Sequence, residues 1–183
     1  MAIKIHSVDQ GSDLWHKLRD GKYTGSNAHK LLKFGAVDYS LTERSNFKGN
    51  FYTKRGHTLE EQAVELYKTI TKSDVKRPGF VTNTIYPTAG YSPDALSGND
   101  VVVEVKCFNK EKHKKMFSGE IPLTVLAQVH FGLLICGRKL AHLVIYNPDF
   151  AKEVPARPEL AFKIIPIKRD PLIIANFKRI LAA

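Results

Sequence analysis

Apolar residues recur at helical spacing in several parts of the chain. Leu59, Ala63, Leu66 and Ile70 form one stripe, because residues three or four apart lie on the same face of a helix. Capping and proline signals mark the ends of other helices. The predicted helices are a short one around Leu14, Trp15 and Leu18, one at 26–32 opened by Thr24 and Gly25, one at 58–71, a buried one at 122–135, and a last one capped by Asp170 and Pro171 that ends near Leu181.

Runs of β-branched and aromatic residues bounded by turn residues predict the strands. Ser97, Gly98 and Asn99 supply a turn between two of these runs. The predicted strands are 80–83, 88–92, 101–108, 139–146 and 161–167. Strands and helices in this order favour an α/β fold with a mixed central sheet flanked by helices.

One long stretch, from about Lys33 to Arg55, shows neither pattern and is rich in Gly, Asn, Ser, Tyr and Lys. A loop of this length inside a compact domain is more often functional than structural. No repeat or linker divides the sequence, and 183 residues with 43% hydrophobic content are enough for one core. We therefore expect a single domain over 1–183.

Two cysteines, Cys107 and Cys136, lie in apolar surroundings without metal-binding spacing. They are interpreted as reduced, buried thiols, which argues against a structural zinc site. The first residues lack the apolar run of a signal peptide, and the most apolar stretch is too short and too polar to cross a bilayer. The expected location is the cytoplasm.

A net charge of +10 favours a polyanionic partner, and nucleic acid is the leading candidate. Within the run KEKHKK, 110–115, the lysines are interpreted either as a solvated face or as a DNA-facing surface.

The candidate chemistry lies in GYSPDALSGNDVVVEVKCF, residues 90–108. Side chains alternate between the faces of a strand, so Glu104 and Lys106 project together while Val103 and Val105 point the other way. A hairpin centred near Gly98 would place Asp94 opposite roughly Val102, close to Glu104. Two carboxylates and a lysine then share one face.

Such a face suits Mg²⁺, which prefers oxygen ligands and usually takes one or two carboxylates together with water and phosphate. A metal held there would offset phosphate charge and activate a water for phosphodiester hydrolysis. An ordinary cross-strand charge pair is the competing interpretation, and this stretch alone does not separate the two.

Five motifs in a fixed order favour the metal site over the charge pair. The pieces WHKLRDGKYTGS, RGHTLEEQA, GYSPD, VEVKCF and LAQVHF resemble the lambda exonuclease and YqaJ-type viral recombinase nucleases, and the resemblance covers about residues 15–149. That family belongs to the PD-(D/E)XK superfamily, so the resemblance implies a restriction-endonuclease-like core.

The resemblance also implies a role for each matching residue. Asp94, Glu104 and the Val105 backbone carbonyl would bind the metal, and Glu60 would complete the acidic site, reaching a metal through water. Lys106 takes the place of the catalytic lysine, and Gln128 faces that lysine and the attacking water. Arg19 and Ser26 match positions that receive the terminal 5′ phosphate or the backbone near it, and Ser92 is expected to contact the DNA backbone. Without the family, simpler interpretations would lead: Glu60 as a first-turn helix carboxylate, Gln128 as a satisfied buried amide, Arg19 as a surface charge, Ser26 as a cap, Trp15 as core and His130 as structural.

The function implied is a Mg²⁺-dependent exonuclease, with Mn²⁺ able to substitute and one or two ions per site, that degrades duplex DNA 5′ to 3′ from 5′-phosphorylated ends and leaves 3′ single strands. The resemblance further implies a phage origin, a single-strand annealing partner and a homo-trimeric ring. Two alternatives remain: a nicking or structure-specific endonuclease with the same site, and a DNA-binding module without catalysis.

Overall fold

The computed structural model of the chain describes residues 2–36, 42, 51–153 and 157–182. Its helices are α1 (Asp13–Arg19), α2 (Ala28–Phe34), α3 (Phe51–Thr71), α4 (Lys110–Phe117), α5 (Leu123–Ile135), α6 (Asp149–Glu153) and α7 (Pro171–Leu181), with short 3₁₀ turns at Gly25–Asn27 and Pro158–Ala161. Its strands are β1 (Ile3–His6), β2 (Val75–Lys76), β3 (Phe80–Asn83), β4 (Gly90–Tyr91), β5 (Ala95–Ser97), β6 (Val101–Lys106), β7 (Leu140–Tyr146) and β8 (Phe162–Lys168).

The strands form two sheets. The larger one has the order β2-β5-β6-β7-β8, and the smaller one has the order β1-β3-β4. Strands β6 and β7 are parallel, whereas the other neighbours in the larger sheet are antiparallel. Parallel neighbours need a long crossover, and here α4 and α5 supply it. The expected mixed sheet flanked by helices is therefore present, and the smaller sheet is an addition that the sequence did not predict.

Strand β6 contains so many valines because helices cover both of its faces. Val102 belongs to a core shared with α5 and α7, whereas Val103 and Val105 belong to a second core shared with α3. Helix α5 is apolar nearly all round, and nine of its 13 residues are buried. Glu104 on β6 and Gln128 on α5 are therefore polar side chains in largely apolar surroundings.

The predicted pairing of β6 is wrong in partner and in register. The run 88–92 was expected to pair with β6, but its ordered part, β4, pairs with β3, and the partner across the turn is β5. Ala95 lies opposite Val103, so the register places Asp94 across from Glu104 instead of Val102. Pro93 explains the switch between sheets, because proline has no N–H to continue a strand ladder.

Several helix boundaries also differ from the prediction. The helix expected at 26–32 is a 3₁₀ turn followed by α2, and the helix expected at 58–71 begins at Phe51. The interval 33–55 therefore overlaps the ends of α2 and α3, while 37–41 and 43–50 lie outside the described residues. KEKHKK begins α4, whose inner side buries His113 and Met116. The predicted Asp170 cap is confirmed, since its carboxylate accepts hydrogen bonds from the Leu172 and Ile173 amides.

The cysteine prediction is partly right. Neither Cys107 nor Cys136 forms a disulfide, but Cys136 is buried whereas Cys107 is only half-buried. Within the described part of the chain, none of the helices combines the length and the apolar character that crossing a bilayer requires.

Candidate active site

Glu104 lies at the centre of the candidate site with only 2% of its surface exposed. One carboxylate oxygen accepts a hydrogen bond from the Tyr91 hydroxyl. The other accepts from Lys106 Nζ at 2.8 Å and from Gln128 Nε2 at 2.5 Å. A buried charge is tolerated only when it is paired and hydrogen-bonded, and these three donors meet that requirement.

Lys106 and Gln128 are also bonded to each other. Lys106 Nζ donates to Gln128 Oε1 at 2.9 Å, which closes a triangle with Glu104. Burial acts to lower the pKa of Lys106, but the Glu104 and Asp94 carboxylates outweigh it, and the net pKa is raised. The lysine is thus a cation in the absence of metal.

Asp94 lies at the end of β5, beside Glu104. Its Oδ2 accepts a hydrogen bond from the Val105 backbone N–H at 2.6 Å. Burial raises the pKa of Asp94 well above its ordinary value, and the nearby Glu104 and Glu60 carboxylates raise it further, whereas Lys106 and the Val105 N–H oppose them. An ionised Asp94 is therefore unfavourable here unless a cation pairs with it, as at a cation-binding site.

The Val105 carbonyl is directed toward the same place. In an extended strand the N–H and C=O of one residue point to the same edge, so this carbonyl shares the side on which Asp94 accepts the N–H. The register β5–β6 would bring Pro93 opposite Val105, and proline has no N–H to donate to that oxygen. The ProAsp pair thus leaves a backbone oxygen beside two carboxylates.

Glu60, on α3, approaches from another direction. Its Oε1 accepts a hydrogen bond from Arg77 at 3.0 Å, and Arg77 lies 3.8 Å from Glu61. These three residues line a cleft of about 390 Å³ together with Val8 and Gln10. Glu60 is close enough to raise the pKa of Asp94.

The oxygen set fits a hard divalent ion. In the described residues no three His, Cys, Asp or Glu side chains are arranged to hold a metal by themselves. Mg²⁺ does not need three, because it commonly uses one or two carboxylates and keeps water in its other positions. Asp94 and Glu104, with the Val105 carbonyl, would meet that requirement.

A second cluster of polar side chains surrounds Arg19. Its guanidinium donates to Ser92 Oγ at 3.0 Å and lies 4.1 Å from the centroid of the Trp15 ring. Thr24 Oγ1 lies 3.5 Å from Arg19 and 3.0 Å from Ser26 Oγ, so it links these two. Burial lowers the pKa of Arg19 to about 10, which still leaves it charged at neutral pH. A desolvated guanidinium among hydroxyls is a suitable site for a phosphate.

Trp15 has a more specific role than the core packing that the sequence suggested. Its indole N–H is placed 3.0 Å from both the Gly79 carbonyl and Ser92 Oγ, and the side chain is only half-buried. The indole thus supports Arg19 and Ser92 directly. His130, in contrast, donates its Nδ1–H to the Leu126 carbonyl of its own helix at 2.8 Å, as expected for a structural residue.

Tyr91 is the site residue that the sequence analysis missed. A Cβ added at Gly25 would lie 2.6 Å from its ring, and one added at Gly132 would lie 2.5 Å from it. The ring therefore fits between the turn that precedes Ser26 and helix α5, with its hydroxyl on Glu104. Its position inside GYSPD was the only available signal, because the contact to Glu104 crosses from one sheet to the other.

Comparison with protein families gives one match. The model of the YqaJ-like viral recombinase domain matches residues 14–139. This match confirms the resemblance inferred from the five motifs. No curated protein sequence matches the chain.

Solved structures share the fold at low sequence identity. LHK-Exo in complex with dAMP is 23% identical, with a TM-score of 0.78 over 93% of this chain and 90% of that chain. A second structure of this alkaline exonuclease, from Laribacter hongkongensis, is 22% identical, with a TM-score of 0.75 over 93% and 89%. A phage-related exonuclease from Haemophilus somnus 129PT is 18% identical, with a TM-score of 0.59 over 88% and 90%. The expected PD-(D/E)XK fold class is confirmed.

Replacing Asp94 by asparagine should stabilise the metal-free protein by on the order of 1 kcal/mol, because the amide keeps the bond from Val105 and removes the excess charge. The folded-state pKa of Asp94 is raised, so its destabilising effect is full at alkaline pH and fades as the pH falls toward 3.8. The extra stability of the Asp94→Asn variant should therefore also fade as the pH falls. Urea unfolding in EDTA at several pH values measures it. A variant less stable than the parent at pH 8 would contradict the charge excess.

Replacing Tyr91 by phenylalanine should cost about 1–3 kcal/mol in EDTA, because it leaves one oxygen of buried Glu104 without its donor. Tyr146→Phe is the matched control, since that hydroxyl donates to Gln62 at 3.2 Å in the other core. Tyr91→Phe should lose more than Tyr146→Phe both in the free energy of unfolding, measured with urea, and in the rate of DNA cleavage. Equal losses for the two variants would mean that Tyr91 only packs.

Proposed function

Because the chain belongs to the YqaJ-like viral recombinase family and is a nuclease of this recombinase exonuclease class, we propose that it degrades one strand of linear duplex DNA from 5′-phosphorylated ends. Degradation runs 5′ to 3′ and leaves 3′ single strands for phage-type recombination. The substrate class, DNA, and the recombination context follow from the family, whereas the polarity and the preference for a phosphorylated end are the proposal.

The observation that carries the proposal is the connection between the two clusters. Ser92 accepts a hydrogen bond from Arg19, and Asp94 follows two residues later, about 7 Å along an extended chain. An end phosphate held by Arg19, Ser26 and Ser92 would thus lie roughly one nucleotide from the acidic cluster. A site that binds a strand terminus next to the cleavage position favours an exonuclease over an endonuclease.

We propose Mg²⁺ as the cofactor, with Mn²⁺ able to replace it, as one or two ions. Asp94, Glu104 and the Val105 carbonyl would hold it, with Glu60 contributing through water. When bound, the ion supplies charge neutralisation at the phosphate and lowers the pKa of water.

The remaining residues act on the water and the leaving group. Lysine has three N–H donors, and Lys106 uses two of them on Glu104 and Gln128. The third can donate to the attacking water or to the developing charge on the phosphate. In the metal-free protein the Glu104 and Asp94 carboxylates raise the pKa of Lys106, which favours its role as a cationic donor. The product would be a 5′ mononucleotide.

We also propose one nuclease domain for the chain, a homo-trimeric ring and a single-strand annealing recombinase as partner. The single domain is supported by β6, because both hydrophobic cores pack against opposite faces of this one strand. The ring and the annealing partner rest on the family alone.

Linear duplexes with 5′-phosphate ends should be degraded with Mg²⁺ and spared with EDTA, while closed circles should remain intact. Glu104→Ala should lower the rate by at least a hundredfold, because it removes a ligand and leaves Lys106 without its partner. Gel analysis of end-labelled strands measures both effects. Cutting of circles would favour the endonuclease, and cleavage that survives EDTA would overturn the metal site.

Arg19→Ala should remove the preference for 5′-phosphate over 5′-hydroxyl ends, because it deletes the cation of the end-binding cluster. The exposed arginine Arg179 on α7 provides a control of equal charge, and Arg179→Ala should keep the preference. Initial rates on the two kinds of end, at one ionic strength, give the ratio. A ratio unchanged by Arg19→Ala would assign the end phosphate to another site.

A further inference from the structure

A groove of about 660 Å³ opens between α4 and the start of α5, and we call it the α4–α5 groove. Phe108, Ile121, Leu123 and Thr124 line it together with Lys112 and Lys115. None of these residues belongs to the metal or end-binding clusters. The groove is nevertheless close to them in sequence, since Phe108 follows Lys106 by two residues.

Helix α5 shows where the groove lies relative to the active site. Gly132, Gln128 and Thr124 are spaced by four residues, so they lie on one face at intervals of about 6 Å. Gly132 packs on Tyr91 beside the turn that leads to Ser26, Gln128 bonds Lys106, and Thr124 lines the groove. The turn before Ser26 also lies against Gln128, because a Cβ added at Gly25 would be 3.2 Å from Gln128 Cγ, so the groove begins about one helical turn beyond this contact.

The composition of the groove matches unpaired nucleotides. Leu123 is 81% exposed, and the Phe108 ring has the Lys112 ammonium 5.6 Å from its centroid. Apolar and aromatic side chains stack with bases, while lysines beside them contact phosphates. Glu120 also lines the groove, and Glu111 lies 3.4 Å from Lys115, but α4 carries four lysines against one glutamate.

We propose that the α4–α5 groove binds the unpaired nucleotides of the degraded strand on the 3′ side of the scissile phosphate. The inference rests on the proposed function: a strand that is held by its 5′ phosphate at Arg19 and passes Gln128 along α5 reaches Thr124 and the groove next. The groove holds the strand in line between successive cleavage steps, and its occupant is single-stranded DNA.

The test measures the binding of 5′-phosphorylated single strands of one, three and five nucleotides, by calorimetry in EDTA. Affinity should rise about tenfold or more from one to five nucleotides as bases enter the groove. A triple variant, Lys112→Ala, Lys115→Ala and Leu123→Ser, should lose most of this gain and keep its affinity for the mononucleotide. Two phosphate contacts fewer should lower the salt slope for five nucleotides by about 1.4.

Lys110→Ala with Lys114→Ala is the matched control, because it removes the same charge from the same helix outside the groove lining. The control should retain the gain with strand length. If the control loses as much of the increase in affinity with strand length, the lysines act only through general electrostatics. If the triple variant keeps the whole increase, the strand binds elsewhere. Either result overturns the proposal.

Light scattering, which measures the oligomeric state, tests whether a second copy of the chain occupies the groove instead. A triple variant that changes the oligomeric state and keeps the gain with length would assign the groove to a contact between chains and overturn the proposal. Failure of the proposed function is separable: a parent protein that degrades strands from 3′ ends would refute the polarity, whereas the gain with length is measured on single strands without cleavage.

Discussion

A carboxylate buried inside a β-sheet has to be matched by donors from elsewhere in the fold, and the neutralisation of Glu104 is the interaction on which this structure depends. Each donor comes from a different element: Tyr91 from β4, Lys106 from β6 and Gln128 from α5. The two sheets and the central helix can therefore occupy only a relative position that brings all three donors to one side chain. Because each element is regular and well packed, the groups of the candidate site are held on rigid supports.

The same arrangement leaves the site with more negative charge than the metal-free fold favours. Lys106 balances Glu104 and Arg77 balances Glu60, while Asp94 has a raised pKa. Functional sites often retain such locally unfavourable electrostatics because the ligand relieves it. The cation proposed for this site would relieve that excess of charge.

Sequence patterns predicted the parts of the fold that are decided locally. Helix α3, the Asp170 cap and the alternation along β6 depend on residues close together in the chain, and all three are present. The predicted stripe of α3 is only half right: Leu59 and Ala63 are buried, but Leu66 and Ile70 are exposed, and Val64 and Tyr67 complete the buried face instead. Strands β1, β2 and β5 were missed because they are only two to four residues long and depend on their neighbours for pairing. The position of Asp94 was misplaced for a related reason, since the length of the turn and Pro93 set the register.

In the candidate site, too, local features were predicted from the sequence and long-range contacts were not. The ordered motifs identified Glu60, Asp94, Glu104, Lys106 and Gln128, and the structure brings Asp94, Glu104, Lys106 and Gln128 together with Glu60 nearby. Neither Tyr91 nor the support that Trp15 gives to Arg19 could be predicted, because both contacts join segments that are distant in the sequence. Periodicity reports which face a residue occupies, whereas its partner on that face depends on how whole elements dock.

The break in the ladder at Pro93 also gives the molecule a built-in reporter. The Val105 amide donates to a carboxylate and not to a backbone carbonyl, so the NMR frequency of its proton follows the charge on Asp94. Loss of a proton from Asp94, or a cation drawn to its other oxygen, changes the field along this single N–H bond. One backbone resonance can thus follow the state of the acidic cluster in solution without any label in the site.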